Sequence, residues 1–232
     1  MLCGQAWFDE TFRQLDPAIA IDWSCSDGDR LSAGTRVCRL EGSARAILTG
    51  ERTALNFLQT LSATATAAAR FVDAVAGTSA RVLDTRKTIP GLRAAQKYAV
   101  RCGGALNHRL GLFDAILIKE NHIVALGSID AAMARARAPE VSLVEVEVET
   151  LEQVERALAS GADRLLLDNF PLEMIREAVL LRDRSSPRKK LEASGGVSLG
   201  NVRAIAETGV DYVSVGIMTK SVAAVDFSLR IV

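Results

Sequence analysis

The sequence has no charge imbalance. Its 28 Lys and Arg residues offset 28 Asp and Glu residues, for a formal net charge of +0. That balance argues against a duplex-binding surface or a polybasic membrane patch. It leaves room for a local anion site, because net charge says nothing about clustering. Cysteine is sparse: Cys3, Cys25, Cys38 and Cys102 show no CxxC spacing and read as buried or incidental reduced thiols of a cytosolic protein. No apolar run approaches the ~18 residues of a membrane span. Met1-Leu2-Cys3-Gly4 opens without the basic n-region of a signal peptide. A soluble, cytoplasmic protein is expected, with no nucleic-acid or membrane partner. There is no Pro/Gly/Ser-rich linker, low-complexity tract or repeat array. Gly-x-Ser-x-Gly, a Walker loop and a catalytic-cysteine pattern are also missing, so nothing points to covalent nucleophilic chemistry.

What is present is apolar bulk and alternation. Hydrophobic residues make up 49% of 232 positions, enough for one large domain or one domain plus a smaller one. Residues 1–50 mix a short helix (6–15), a strand-like run (19–23) and two short strands (36–40 and 44–48) separated by turn signals. From residue 51 to 76, Leu55, Leu58, Leu61, Ala65, Ala68 and Val72 recur at helical intervals, and Gly77 is placed to terminate that helix. Beyond residue 80, strands are predicted to start near 81, 115, 143, 164, 191 and 212, with a seventh short one near Ala105-Leu106. Helices are predicted between them at 91–102, 129–138, 151–160, 171–182 and 201–208. Pro171 is expected at the first helical position, and Gly161 and Gly209 just past helix ends. Strands such as Leu165-Leu166-Leu167 are continuously apolar, the habit of a parallel sheet buried on both faces. Nearly every strand ends on a polar or glycine cluster, which favours a small α/β barrel over a doubly wound sheet.

Those strand ends carry the chemistry. Arg86, Lys87, His108, Arg109 and Lys119 lie at or just after strand ends, so a barrel would gather them on one face. Converging cations without matching protein anions imply a substrate with several negative charges. Glu145 and Glu147 share a strand face, Glu149 continues the alternation, and Asp168 ends the next strand. Inward carboxylates are costly unless paired or metal-bound. A divalent cation held by Glu147 and Asp168 would satisfy them; so would a salt bridge to Lys87 or Lys119. Ser194-Gly195-Gly196 and Ser214-Val215-Gly216 follow the last two strands, where barrels often bind phosphate. His122 reads as a structural or capping histidine, and Tyr98, Trp7 and Trp23 as packing residues. Group transfer at an anionic, phosphorylated centre is the expected chemistry.

The stretches 84–93 (Asp-Thr-Arg-Lys-Thr-Ile-Pro-Gly-Leu-Arg), 107–109 (Asn-His-Arg), 117–122 (Leu-Ile-Lys-Glu-Asn-His), 144–147, 167–170 (Leu-Asp-Asn-Phe) and 192–196 (Glu-Ala-Ser-Gly-Gly) resemble nicotinate-nucleotide pyrophosphorylase (carboxylating), also called quinolinate phosphoribosyltransferase. The resemblance implies conversion of quinolinate and phosphoribosyl pyrophosphate to nicotinate mononucleotide, pyrophosphate and CO2, with Mg2+, in de novo NAD synthesis. It implies a six- or seven-stranded open α/β barrel (80–218), a partial N-terminal α/β sandwich domain (1–50), a connecting helix (51–79) and a C-terminal segment (219–232) returning to the first domain. It also implies a homodimer, or a higher oligomer, with Arg52 supplied across the interface.

By position, the resemblance assigns Thr85, Arg86, His108, Arg109, Lys119 and the partner's Arg52 to quinolinate. Lys87 faces the pyrophosphate or reacting centre. Glu147 and Asp168 hold Mg2+ and the ribose hydroxyls. Asn169, Ser194, Gly195, Gly196, Ser214 and Gly216 complete the donor site. Family members begin several tens of residues earlier, so this chain is expected to start inside the first domain. Two other readings follow: a molybdenum-transport-associated paralogue, against which 119–122 speaks, and an inactive chain serving as a binding or assembly partner.

Overall fold

The computed structural model describes residues 1–136 and 143–231. The chain forms two compact units: Met1–Arg70, Thr88–Ala105 and Met218–Val232 make the first, Phe71–Lys87 and Leu106–Ile217 the second.

In the first unit, α1 (Gln5–Leu15), β1 (Ala20–Trp23) and β2 (Cys38–Glu41) precede the long α2 (Ala44–Ala74). β1 and β2 pair antiparallel, with Trp23 opposite Cys38. Phe8, Phe12, Ala54, Leu55 and Leu58 are buried together against Trp23 and Leu40. α3 (Arg93–Cys102) belongs to this unit; its Ala95 and Ala99 pack with Cys3, Leu61 and Ala65. Gln59 on α2 bonds the backbone at Val225 and Phe227, which fixes the C-terminal segment. Trp7 and Tyr98 stack at 5.6 Å, and Trp23 donates to Asp9, so these three rings do serve packing.

The strand expected at 44–48 is instead the opening of α2. Ala44-Arg45-Ala46-Ile47-Leu48 is built largely of good helix formers; Ile47 N bonds Ser43 O, and the helix runs on without a break. Gly50 lies inside it because a Cβ there would come within 2.8 Å of both Leu15 and Phe12. The apolar stripe of α2 is otherwise as expected, from Leu55 (4% exposed) to Ala68 (0%).

The second unit is built on β3 (Arg81–Leu83), β4 (Ile116–Ile118), β5 (Val144–Val148), β6 (Arg164–Asp168), β7 (Lys190–Ser194) and β8 (Tyr212–Ser214). All ladders are parallel, in the order β3-β8-β7-β6-β5-β4. The last strand thus pairs with the first, which is the closure of a barrel. Leu106 bridges Leu83 on the far side of β3 and supplies the short seventh segment. Among the described residues no ladder joins it to β4, so the barrel is open at that seam.

The connecting helices are α4 (Glu120–Leu126), α5 (Ile129–Ala136), α6 (Leu151–Ala159), α7 (Leu172–Arg184), α8 (Val202–Ala206) and α9 (Ile217–Lys220). The sequence reading missed α4, whose seven residues are too few for a periodic pattern. Residues 137–138, expected to end a helix, lie outside the described residues. Pro171 is the N-cap rather than the first helical residue of α7. Gly161 (φ 86°) follows the C-cap of α6 as a C′ residue, whereas α8 ends at Ala206 with Glu207 as its C-cap, so Gly209 (φ 96°) lies one residue beyond the expected C′ position. No helix among the described residues is long and apolar enough to cross a membrane. The four cysteines are all free.

Candidate active site

Parallel register brings the strand ends to one rim. Leu83 pairs with Ser214, Asp168 with Ser194, and Ile118 with Val146. The residues that follow each pair therefore emerge on the same side. Thr85, Arg86 and Lys87 follow β3; Lys119 follows β4; Glu147 and Asp168 close β5 and β6; Gly195 and Gly196 follow β7; and Gly216 follows β8. Thr85 Oγ1 accepts from Lys87 N at 3.1 Å. Arg52 is exposed on α2 in the first unit.

Asp84 organises the start of this rim. It is fully buried and accepts from His108 N at 2.8 Å and from Asn107 Nδ2 at 2.6 Å. Asp114 holds the next loop by accepting from Leu110 N (2.7 Å) and Gly111 N (3.0 Å). Arg109 then spans the loop, donating to Ala115 O at 3.2 Å. Burial, and then the Arg86 guanidinium, hold Arg109 below its ordinary pKa. The charge of Arg86 thus reaches Arg109.

The expectation that these cations lack protein anions fails for two of them. Lys119 Nζ contacts Glu147 Oε2, with the lysine half exposed. His108 Nε2 lies 2.9 Å from Glu145 Oε2 and 3.5 Å from Glu192 Oε1. The physical reason is depth. Glu145 and Glu192 are 0% exposed and could not remain there uncompensated.

The sequence reading gave no role to Arg164, which completes the compensation. It stands 3.0 Å from Glu192 and 3.9 Å from Glu145, with its guanidinium stacked 4.4 Å over Tyr212. Two carboxylates still face one guanidinium. Burial pushes Glu145 up to about 6. Burial, followed by the Glu145 charge, pushes Glu192 up to about 7. Arg164 Nη1 donates to Glu192 Oε2 at 3.0 Å, whereas its Nε stands 3.9 Å from Glu145 Oε1, too far for a hydrogen bond.

The glycine loop is similarly over-determined. Gly195 has φ 92°, and a Cβ there would lie 2.2 Å from Asn169 Oδ1. Asn169 itself sits at φ 57°, donates N–H to Ser194 O at 2.9 Å and donates Nδ2–H to Asp168 Oδ2 at 2.8 Å. Asn201, read from sequence only as a helix start, clamps the loop: its Oδ1 accepts from Ser198 N and its Nδ2 donates to Gly196 O. A Cβ on Gly216 would make only ordinary contact with Thr85 and Lys87, so packing does not demand glycine there. Ser214 is buried, with its hydroxyl toward Ala193 O (3.5 Å) and Glu192. His122 is a cap as expected: its Nδ1 accepts from Lys119 N at 2.9 Å.

Profiles of the quinolinate phosphoribosyl transferase N- and C-terminal domains match residues 1–62 and 64–230. The chain belongs to the quinolinate phosphoribosyltransferase family. Nicotinate-nucleotide pyrophosphorylase (carboxylating) of Mycobacterium leprae is 48% identical over 97% of this chain and 81% of that relative. The human protein of that name is 39% identical over the whole of this chain and 78% of its own length. The Francisella tularensis nicotinate-nucleotide pyrophosphorylase structure superposes with a TM-score of 0.91 at 47% identity, covering 97% of this chain and 80% of that one. The Pyrococcus furiosus structure, at 21% identity and a TM-score of 0.79, shares the fold. In this quinolinate phosphoribosyltransferase-family chain, the barrel rim just described lies wholly within the span matched by the C-terminal profile.

Proposed function

We propose that this rim transfers a phosphoribosyl group from phosphoribosyl pyrophosphate to quinolinate. The products are nicotinate mononucleotide, pyrophosphate and CO2, a step of NAD biosynthesis. The observation that carries the reading is the shared rim: parallel register brings the residues after β3 and β4, with Arg86 and Lys119, to the same end of the sheet as Glu147, Asp168 and the Gly195-Gly196 turn, and the Arg86 charge reaches Arg109. A dicarboxylate balances those like charges, and planar guanidinium forks suit carboxylates. The names of the relatives support the same substrate pair.

The side chains then divide the work. Arg86, Arg109 and Lys119 neutralise and orient the two acceptor carboxylates, with Thr85 beside them. Lys87 faces the departing pyrophosphate. As pyrophosphate leaves, the ribose gains oxocarbenium character, which Glu147 and Asp168 stabilise electrostatically. Ring-nitrogen attack makes the acceptor cationic, so the electrons of the adjacent C–CO2 bond can pass into the ring. Backbone N–H groups near Ser194, Gly195, Gly196 and Gly216, with Asn169, receive the 5-phosphate. Most of the catalysis is orientation and charge.

Glu147 and Asp168 are hard oxygen donors at adjacent strand ends and would suit Mg2+. Bound there, Mg2+ would draw charge from the pyrophosphate. Lys119 shares Glu147 and can balance that carboxylate when no cation is present. We further propose a homodimer in which Arg52 reaches the partner subunit's acceptor site.

The test is stoichiometric release of pyrophosphate and CO2 from quinolinate and phosphoribosyl pyrophosphate in the presence of Mg2+. Turnover of nicotinate with none of quinolinate would overturn the reading. For the shared site, separately inactive Arg52→Ala and Lys87→Ala chains should regain activity on mixing; no recovery counts against it.

A further inference from the structure

We propose that Gln96 is a positioning residue of the rim: its amide holds the chain just past Lys87 and just past Gly216, and so sets the path of both segments. Two obligate partners fix the orientation of that amide. Ile89 N can only donate, and it lies 2.8 Å from Gln96 Oε1. Thr219 O can only accept, and it lies 2.9 Å from Gln96 Nε2. The second Nε2 hydrogen is left for Thr64 Oγ1 at 3.4 Å, whose own proton goes to Thr60 O at 3.3 Å. Gln96, Thr64 and Thr219 are all 0% exposed, so water does not reach the amide.

The place of these contacts in the chain gives them their reach. Gln96 lies in the first turn of α3, and the chain doubles back toward it through a tight turn. Leu92 N donates to Ile89 O at 3.0 Å, and Gln96 N to Leu92 O at 2.8 Å. The Gln96 side chain then reaches back seven residues to meet Ile89 N. Arg93 Nε adds a contact to Thr88 Oγ1 at 3.3 Å. Ile89 stands two residues after Lys87, and Thr219 three after Gly216. Gln96, Ile89, Thr64 and Thr219 all belong to the first unit, whereas Arg86, Lys87 and Gly216 belong to the second. The amide therefore grips both segments where the chain passes from the second unit to the first.

An apolar side chain of similar size would fill the same space. It would take the Gln96 partner away from the Ile89 N–H and the Thr219 carbonyl, and backbone groups that lose a partner draw the chain toward another one. On the proposed function, on which this role rests, Arg86 and Lys87 meet the acceptor and the departing pyrophosphate, and Gly216 meets the 5-phosphate. One buried amide thus serves both substrates through the backbone.

The test combines kinetics with amide hydrogen exchange. Gln96→Met nearly keeps the volume and removes both polar ends. It should raise KM for quinolinate and for phosphoribosyl pyrophosphate by about tenfold each. Mere loss of folded protein would lower the apparent kcat and leave both KM values alone. Gln96→Glu should bring both back to within about threefold of wild type at about pH 6, because a buried carboxyl stays neutral and offers one acceptor and one O–H donor. Both KM values within about twofold of wild type in folded Gln96→Met, or a Gln96→Glu no better than Gln96→Met, overturn the proposal. If neither variant folds, the wild-type protein decides. Its Ile89 amide should exchange at least about a hundredfold more slowly than in an unstructured chain, and slowing below about tenfold overturns the proposal. Wild-type protein that ignores quinolinate overturns the proposed function and takes this role with it, whereas normal KM values in an active, folded Gln96→Met overturn this role alone.

Discussion

Replacing Glu192 with Gln should change how stability depends on pH, in a direction that the buried cluster fixes. Glu192 is fully buried; burial first, and Glu145 second, push it from 4.5 up to about 7. Between those values the folded protein binds a proton that the unfolded chain has released. The unfolded state therefore holds fewer protons, and stability falls as pH rises. The favourable contribution is complete below about 4.5 and gone above about 7.

At about 1.36 kcal/mol per pH unit, that rise corresponds to about 3 kcal/mol. Gln cannot ionise and keeps the neutral state at all pH values. Relative to wild type, Glu192→Gln should gain about 2–3 kcal/mol between pH 5 and pH 8, or about 4–12 °C in Tm for a chain of this size. The variant carries a roughly constant offset from the lost Arg164 contact, so the slope is the readout rather than the absolute value. Asp211, whose pKa is lowered, loses its contribution below 3.8 and does not intrude on the window. Urea unfolding of both proteins at pH 5, 6, 7 and 8 is the assay. A stability difference that does not vary with pH would show that Glu192 is ionised throughout, and the account of the cluster would fail.

Three other substitutions separate the parts of the site. Lys119→Ala should raise KM for quinolinate about tenfold or more with little change for the phosphoribosyl donor; because its ion pair with Glu147 is half exposed, stability should move by less than about 1 kcal/mol. Equal losses for both substrates would remove its assigned role. Gly195→Ala places a Cβ 2.2 Å from Asn169 Oδ1 at φ 92°, so about 1–3 kcal/mol of strain and a weakened donor KM are expected; a normal donor KM would show the loop is not the phosphate cradle. Asp211→Ala removes the 2.7 Å partner of Arg182, 2% exposed, which keeps Asp183 at 2.8 Å and Gly209 O at 3.2 Å, and should cost about 1–3 kcal/mol in denaturant titrations. A loss below about 1 kcal/mol would mean that Asp183 alone balances Arg182.

Much of the second unit was legible because its signals are local. Each strand is a short apolar run with a polar end, and the predicted starts near 81, 164 and 212 coincide with β3, β6 and β8. Parallel pairing then placed the ends on one rim without further information. The first unit was harder to read. Residues 44–48 are apolar and bounded by turn-like residues, as a strand would be, and only the continuation into α2 shows otherwise. α3 was read as part of the barrel from its place in the alternation, yet Ala95 and Ala99 bury themselves in the first unit. Alternation tells where elements fall along the chain, but not which core receives each one.

Depth is what a strand's alternation leaves out. Glu145 and Glu147 share a face, and one reading covered both. Two residues along a strand are about 6.6 Å. At the outer level, Glu147 meets Lys119, a side chain still 45% exposed. One level further in, Glu145 meets His108, Arg164 and Glu192, with no exposure at all. The same residue type on the same face is thus a ligand candidate at one level and a structural charge at the next. His108 was grouped with the cations for the same reason. Its position after a strand end was visible in the sequence, whereas the carboxylates that claim its Nε2 come from β5 and β7, 37 and 84 residues further along the chain. A charged residue near a strand end therefore points outward for chemistry only when the layer beneath it is already neutral. Here Arg164 comes close to making it so, and burial, which raises Glu192 to about 7, reduces what charge is left.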